Sequence, residues 1–139
     1  MKVFSVTGVS DSGKTTTIEN IIAELRKRKH SVGSVKEIHH KGFSMDREGT
    51  NTYRHKMAGS QLVTARGLDE TDILFGERLP INDILRFYNH DYVVLEGVTD
   101  CSVPRIITAI TPDEVDERLD GSVFAISGRI AGNMTEYKG

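Results

Sequence analysis

The chain carries the stretch Gly8-Val9-Ser10-Asp11-Ser12-Gly13-Lys14-Thr15 close to its start. This stretch satisfies every fixed position of the pattern G-x-x-x-x-G-K-[ST], in which a glycine-rich loop joins a strand to a helix. The glycines let the backbone turn so that successive N–H groups face one concavity, and the N-terminus of the following helix adds positive potential there. The stretch therefore predicts a loop that binds the phosphates of a nucleotide.

The side chains of this loop predict how the phosphates are held. Lys14 is expected to reach the β- and γ-phosphates as a point charge, and the hydroxyl of Thr15 is expected to ligate Mg²⁺. A chance match to the pattern has a probability on the order of one per cent in a chain of this composition. The alternative, a glycine-rich turn with a helix-capping serine, is therefore disfavoured. The predicted nucleotide contacts are Gly8, Ser10, Asp11, Ser12, Gly13, Lys14, Thr15 and Thr16.

The flanks of the loop indicate an α/β architecture. Residues 3–6 form a short apolar run typical of a buried strand, and Ile18, Ile21, Ile22 and Leu25 fall on one face of a helix. Strands that alternate with helices require crossover connections and favour parallel pairing. The sequence thus predicts a three-layer P-loop NTPase fold with a mainly parallel central sheet.

Weaker patterns place the remaining elements. The composition allows one domain, and we expect residues 1–139 to form a single nucleotide-binding domain with a frayed tail from about residue 128. Further strands are predicted at 31–35, 61–64, 71–75, 92–95, 105–110 and 122–126, and helices at 53–58, at 80–88 and after Thr111.

Two acidic residues are candidates for the metal side of the site. Glu96 ends the apolar run 92–95, which places its carboxylate at the carboxyl edge of the predicted sheet, where ligands bind in such folds. Asp46 lies in the irregular stretch 36–52, where a loop that meets Mg²⁺ is expected. For Asp46 a simple turn-forming role is an equally good interpretation of the residues alone.

Composition excludes several other functions. The 18 basic and 20 acidic side chains give a formal net charge of −2, which argues against a nucleic-acid or polybasic membrane binder. No apolar run approaches the ~20 residues of a membrane span. The single cysteine rules out an internal disulfide framework, and we expect a cytoplasmic protein.

The histidines and the cysteine point to no zinc site. His39 and His40 are adjacent, and neighbouring side chains rarely ligate one ion together. Contacts from them, or from nearby His55, to phosphate or to a substrate beside it are more plausible. Cys101 has no assignable activating partner, so it is interpreted as a small buried residue rather than a nucleophile.

A series of motifs occurs in a fixed order along the chain, at residues 8–15, 32–36, 39–46, 49–55, 58–59, 95–97 and 104–106. This series resembles the MobB family, the molybdopterin-guanine dinucleotide biosynthesis proteins B. The resemblance covers the chain from Met1 to about Ile110, and its histidine, Tyr-Arg-His and Ala-Gly motifs are much more specific than the loop itself.

The resemblance implies a GTP-binding protein, usually a homodimer, with weak Mg²⁺-dependent GTP hydrolysis. It implies that the protein acts mainly as an adaptor for the transferase MobA, which attaches GMP to molybdopterin. Carried over by position, Lys14, Asp46 and Glu96 become the catalytic residues, and Thr15, Asp46 and Glu96 become the residues that hold Mg²⁺. The segment 53–55 is then expected near the phosphates or the partner protomer.

Departures from the family pattern keep two other functions open. A lysine common after Gly49 and a basic residue common after Gly97 are both missing, which predicts weaker nucleotide binding or turnover. No N-K-x-D motif is present to read guanine. The alternatives are a small P-loop kinase that phosphorylates a small acceptor and a non-catalytic module that senses nucleotide.

Overall fold

A computed structural model describes residues 1–133 of the chain. The contacts divide them into two compact units, one formed by residues 1–37 with the segment from Arg86 onward, the other by residues 38–85. The strands are β1 (Lys2–Gly8), β2 (Val32–Lys36), β3 (Leu62–Arg66), β4 (Thr71–Phe75), β5 (Tyr92–Glu96), β6 (Arg105–Thr108) and β7 (Val123–Ser127). The helices are α1 (Lys14–Lys27), α2 (Asn51–Met57), α3 (Ile81–Leu85) and α4 (Pro112–Asp116), and Arg129–Asn133 forms a 3₁₀ turn.

The first unit contains a five-stranded sheet in the order β2-β5-β1-β6-β7, with every neighbouring pair parallel. The central strand β1 pairs with β5 on one side and β6 on the other, so that Val6 lies opposite Glu96 and Ile106. Parallel strands need both faces covered, which explains the unbroken apolar run in β5. The predicted α/β fold with a mainly parallel sheet is confirmed.

Helical segments cover the two faces of this sheet. On one face Ile18 of α1 packs against Val6, Val94 and Ile106. On the other face Ile107 packs with Ala109, Val115 of α4 and Ile130 of the 3₁₀ turn. Each of the valine and isoleucine side chains among them contributes about 1.5–3 kcal/mol when fully buried. The alternation of Ile106 and Ile107 between the two clusters produces the three-layer arrangement that the sequence predicts.

The second unit is built on an antiparallel hairpin. Strands β3 and β4 pair with Leu62 opposite Phe75 and Thr64 opposite Ile73, and α2 packs against β3. Val63 is buried, whereas Leu62, Ile73 and Phe75 are exposed on the other face of the hairpin. The two weak strand predictions in this region are confirmed, and they form a separate sheet rather than part of the central one.

One predicted boundary is wrong. The helix predicted over 80–88 ends at Leu85, because the Tyr88 hydroxyl donates instead to the carbonyl of Ser34 on β2, at 2.7 Å. The tail predicted to fray from about residue 128 begins with the 3₁₀ turn Arg129–Asn133, in which Ile130 is buried. Residues 134–139 of that predicted tail lie outside the described residues. No helix within residues 1–133 is both long and apolar enough to span a bilayer.

Candidate nucleotide-binding site

The loop between β1 and α1 closes around the side chain of Lys14. Gly13, the residue before α1, has φ +102°, a conformation that glycine adopts without strain. The Lys14 ammonium donates to the carbonyls of Gly8 and Val9, at 2.9 and 2.6 Å. The positive charge is therefore held against the loop, at the place where the motif predicts that phosphates bind.

Ser12 supports the loop from inside. Its hydroxyl is fully buried, donates to the Val9 carbonyl at 2.7 Å and lies 2.7 Å from the hydroxyl of Thr108. Ser10, Asp11, Thr15 and Thr16 are exposed around the loop. The hydroxyl of Ser12 thus links the loop to β6, and its predicted contact with nucleotide stays a prediction.

The turn after β7 also contacts the loop and the first turn of α1, and supports them. The Arg129 N–H donates to the Ser12 carbonyl at 3.0 Å, and the hydroxyls of Thr17 and Ser127 lie 3.0 Å apart. Gly128 has φ +90°, and a Cβ at this position would lie 2.2 Å from the Ser12 carbonyl oxygen. Only glycine fits here. Local sequence patterns do not reveal this contact, because it joins residues more than a hundred positions apart.

Glu96 lies at the carboxyl end of β5 and meets the first turn of α1. Its Oε1 accepts a hydrogen bond from the Thr15 hydroxyl at 3.0 Å and another from the Lys36 ammonium at 2.6 Å. The structure therefore brings two of the predicted metal-side residues together. It adds Lys36, which was not among the predicted site residues and which lies directly opposite Glu96 in the register of β2 and β5.

The electrostatic surroundings keep Glu96 ionised. Burial acts to raise the pKa of this carboxyl, but hydrogen bonds from Lys36 and Thr15 and the charges of Lys36 and Lys14 outweigh it. The pKa of Glu96 is consequently lower than its ordinary value. A buried carboxylate that stays charged at neutral pH is suited to hold a cation.

The residues present fit Mg²⁺. This ion prefers carboxylate and hydroxyl oxygens and keeps several waters, so that one or two protein ligands beside a nucleotide are sufficient. Thr15 and Glu96 supply two such oxygens within 3.0 Å of each other, and Glu96 already contacts a cationic group. No group of three or more His, Cys, Asp or Glu side chains within residues 1–133 is arranged to hold a metal by itself.

Asp46 belongs to the second unit and organises the start of α2. Its Oδ1 accepts from the hydroxyls of Thr52 and Thr50, at 2.8 and 3.0 Å, and from the Arg47 N–H at 3.1 Å. Burial acts to raise the pKa of Asp46, but these hydrogen bonds and the charge of Lys56 outweigh it, so the pKa is lowered. The turn-forming role is visible in these contacts, and the catalytic and metal-binding roles of Asp46 stay predictions.

Comparison with known proteins identifies the family. A sequence model described as MobB, Molybdopterin guanine dinucleotide synthesis protein B, matches residues 3–126. The chain belongs to the MobB family. The resemblance predicted from the histidine and Tyr-Arg-His motifs is confirmed.

Relatives of this MobB-family chain are described as molybdopterin-guanine dinucleotide biosynthesis adapter proteins. A putative one from Methanocaldococcus jannaschii is 34% identical over 125 residues, which are 84% of this chain and 50% of the relative. The Haemophilus influenzae protein is 34% identical over 110 residues, 76% of this chain and 61% of its own length. A probable one from Bacillus subtilis is 24% identical over 141 residues, 99% and 82% of the two chains. The chain thus spans about half the length of the Methanocaldococcus jannaschii relative.

Solved MobB structures share the fold. The crystal structure of Bacillus subtilis MobB superposes with a TM-score of 0.80 at 22% identity and covers 100% of this chain and 86% of its own. A MobB homolog from Bacillus stearothermophilus superposes with a TM-score of 0.66 at 22% identity, covering 92% and 82% of the two chains. At this level of identity the likeness concerns the architecture alone.

The remaining candidate residues of this MobB-family chain are less constrained. His39, His40 and His55 are exposed in the second unit, and their predicted contacts near phosphate stay predictions. Cys101 is half-buried, and burial raises the pKa of its thiol. A raised pKa lowers the fraction of thiolate, which agrees with the interpretation of Cys101 as a packed side chain rather than a nucleophile.

Proposed function

We propose that this MobB-family chain binds Mg²⁺ and GTP at the loop 8–15 and serves as an adapter in molybdopterin guanine dinucleotide biosynthesis. The observation that carries the proposal is the meeting of Thr15 and Glu96 beside the loop that holds Lys14. The names of the relatives support the assignment to molybdopterin-guanine dinucleotide biosynthesis. The proposed partner is the transferase that attaches GMP to molybdopterin, and the proposed location is the cytoplasm.

The residues divide the work of holding a nucleotide. Lys14 places its charge beside the β- and γ-phosphates, and the N–H groups of the loop and of the first turn of α1 add positive potential. Thr15 and Glu96 hold Mg²⁺, which when bound neutralises charge on the β- and γ-phosphate oxygens. Both hydrogen bonds to Glu96 are made at Oε1, the oxygen proposed to ligate Mg²⁺, so this carboxylate is assigned to the metal rather than to an attacking water. This assignment supports slow hydrolysis and an adapter role.

The proposal is tested with the transferase itself. Molybdopterin-loaded transferase is assayed for guanylation with and without this protein, at matched GTP concentrations, and calorimetry compares GTP with ATP in the presence of Mg²⁺. We expect specific binding of GTP, co-purification with the transferase and stimulated guanylation. Failure of both nucleotides to bind, or absence of any stimulation, would contradict the proposal.

A phosphate-release assay separates the two alternative functions. Slow release without an added acceptor supports weak GTP hydrolysis. Phosphate transfer only to an added small acceptor would indicate a kinase, and binding without any release would indicate a nucleotide-sensing module. Because these three outcomes differ in product, the same preparation distinguishes them.

The hairpin of the second unit supports a homodimer, the oligomer that the family resemblance implies. A two-stranded sheet depends on packing against further structure, and here α2 packs against β3. Among the described residues β3 and β4 pair only with each other, so each has an unpaired edge. Leu62, Ile73 and Phe75 expose apolar surface on one face. We propose that a second copy of the chain covers this face.

Replacing Ile73 with lysine is expected to shift the protein from dimer to monomer, because the charge would have to be desolvated at the proposed interface. Light scattering at micromolar concentrations measures the mass. Leu119→Lys is the matched control, since Leu119 in the first unit is 50% exposed against 51% for Ile73. A dimer that persists in Ile73→Lys, or equal dissociation in the control, would overturn this assignment.

A further inference from the structure

Lys36 is the direct cationic partner of Glu96. Strand β2 ends at Lys36 and β5 ends at Glu96, and the parallel register sets these two residues side by side. The Lys36 ammonium lies 2.6 Å from Oε1, with side chains 58% and 11% exposed, respectively. A carboxylate that is nearly nine-tenths buried needs a compensating charge, and Lys36 supplies it.

The other lysine of the site does not take this position. The Lys14 ammonium donates to the carbonyls of Gly8 and Val9, and its influence on Glu96 is through its charge. The Glu96 carboxylate is instead bonded to one hydroxyl and one ammonium, both at Oε1. The two lysines thus have separate tasks, one at the loop and one at the metal side.

We propose that Lys36 is the resident counter-ion of the metal side of the site, bound to Glu96 in the metal-free protein and displaced from it by Mg²⁺. This inference rests on the proposed binding of Mg²⁺ and nucleotide. The atom that would ligate the ion, Oε1, is the one that the ammonium contacts at 2.6 Å. Two cations on one oxygen repel each other, so the metal and Lys36 compete for Glu96.

Mg²⁺ can compete with Lys36 because only the backbone of this residue is fixed, in β2. Its side chain is more than half exposed, and a long flexible stem lets the ammonium move into water without disturbing β2. Without metal, Lys36 neutralises a carboxylate that would otherwise repel nucleotide phosphates. Lys36 is therefore a positioning residue that permits nucleotide to bind before, or without, Mg²⁺.

Lys36→Met distinguishes this role from an ordinary phosphate contact. We expect the affinity for a fluorescent GTP analogue to fall about tenfold or more in EDTA, where Glu96 is left uncompensated, and to change less than about threefold in saturating Mg²⁺. In Lys36→Met, the Mg²⁺ concentration that gives half of the maximal affinity for the analogue is expected to decrease, because Lys36 no longer competes with the metal for Glu96. Lys36→Arg, which keeps the charge, is expected to retain most of the affinity in EDTA.

Two controls isolate the pair. Lys27→Met removes an exposed lysine at the end of α1 and is expected to leave both affinities unchanged. In a Glu96→Gln background, removal of Lys36 is expected to have no further effect in EDTA, since no carboxylate remains to be compensated. Thermal melts establish that each variant is folded before binding is measured.

The outcomes separate this inference from the proposed function. If the wild type binds nucleotide but Lys36→Met weakens binding equally with and without Mg²⁺, Lys36 is a phosphate contact and the inference is overturned while the function stands. An unchanged affinity in both conditions overturns it as well. If the wild type binds no nucleotide in either condition, the proposed function fails and this inference fails with it.

Discussion

Lys14→Ala is expected to lower the affinity for GTP by about two to three orders of magnitude, the cost of removing one partner from a charge-assisted contact. The ammonium that the Gly8 and Val9 carbonyls hold at the loop disappears in this variant, and only the N–H groups remain to attract phosphate. Calorimetry with GTP and with ATP, both in Mg²⁺, measures the effect. The loss is expected for either nucleotide, because Lys14 reads phosphate and not the base.

Two controls test whether the loss of affinity comes from the change in net charge or from unfolding of the variant. Lys27→Ala removes the same charge from the exposed end of α1 and is expected to bind like the wild type. A thermal melt of Lys14→Ala reports whether the loss of two hydrogen bonds to the loop unfolds it. Affinity within threefold of the wild type in a folded Lys14→Ala protein would show that nucleotide does not bind at this loop.

Local patterns were sufficient for the elements that meet at the site. A strand, a glycine-rich turn and an amphipathic helix are each encoded by neighbouring residues, which is why the loop and α1 are predicted correctly. Glu96 could be found because an unbroken apolar run marks a doubly covered parallel strand and the next polar residue lies at its edge. The meeting of Glu96 with Thr15 then follows from the parallel pairing of β1 and β5.

Contacts between distant segments could not be predicted in this way. Lys36 reads as one more lysine at a strand end, and its role depends on the pairing of β2 with β5, which only the strand order reveals. The early end of α3 has a similar cause. The apolar residues keep a helical spacing as far as Tyr88, but α3 ends at Leu85 and the Tyr88 ring packs over Gly33 of β2. The packing is so close that a Cβ at Gly33 would lie 2.3 Å from the ring.

Gly128→Ala is expected to destabilise the fold strongly. The added Cβ would lie 2.2 Å from the Ser12 carbonyl oxygen and 3.1 Å from the Ala109 nitrogen, both backbone atoms that cannot rotate away. The positive φ of +90° adds strain for any residue with a side chain. We expect a loss of about 2–4 kcal/mol in the free energy of unfolding, measured by urea denaturation.

Substitutions at two other glycines separate the cost of backbone strain from the cost of the steric clash. Gly59 has φ +107° with no atom near its would-be Cβ, so Gly59→Ala reports backbone strain alone and is expected to cost about 1 kcal/mol. Gly121→Ala, which meets neither strain nor a neighbour, is expected to be nearly neutral. If Gly128→Ala is no worse than Gly59→Ala, the turn after β7 does not brace the loop. If Gly128→Ala costs more stability than Gly59→Ala and its folded fraction also binds GTP more weakly, the turn after β7 supports the binding site. That segment lies more than a hundred residues beyond the motif.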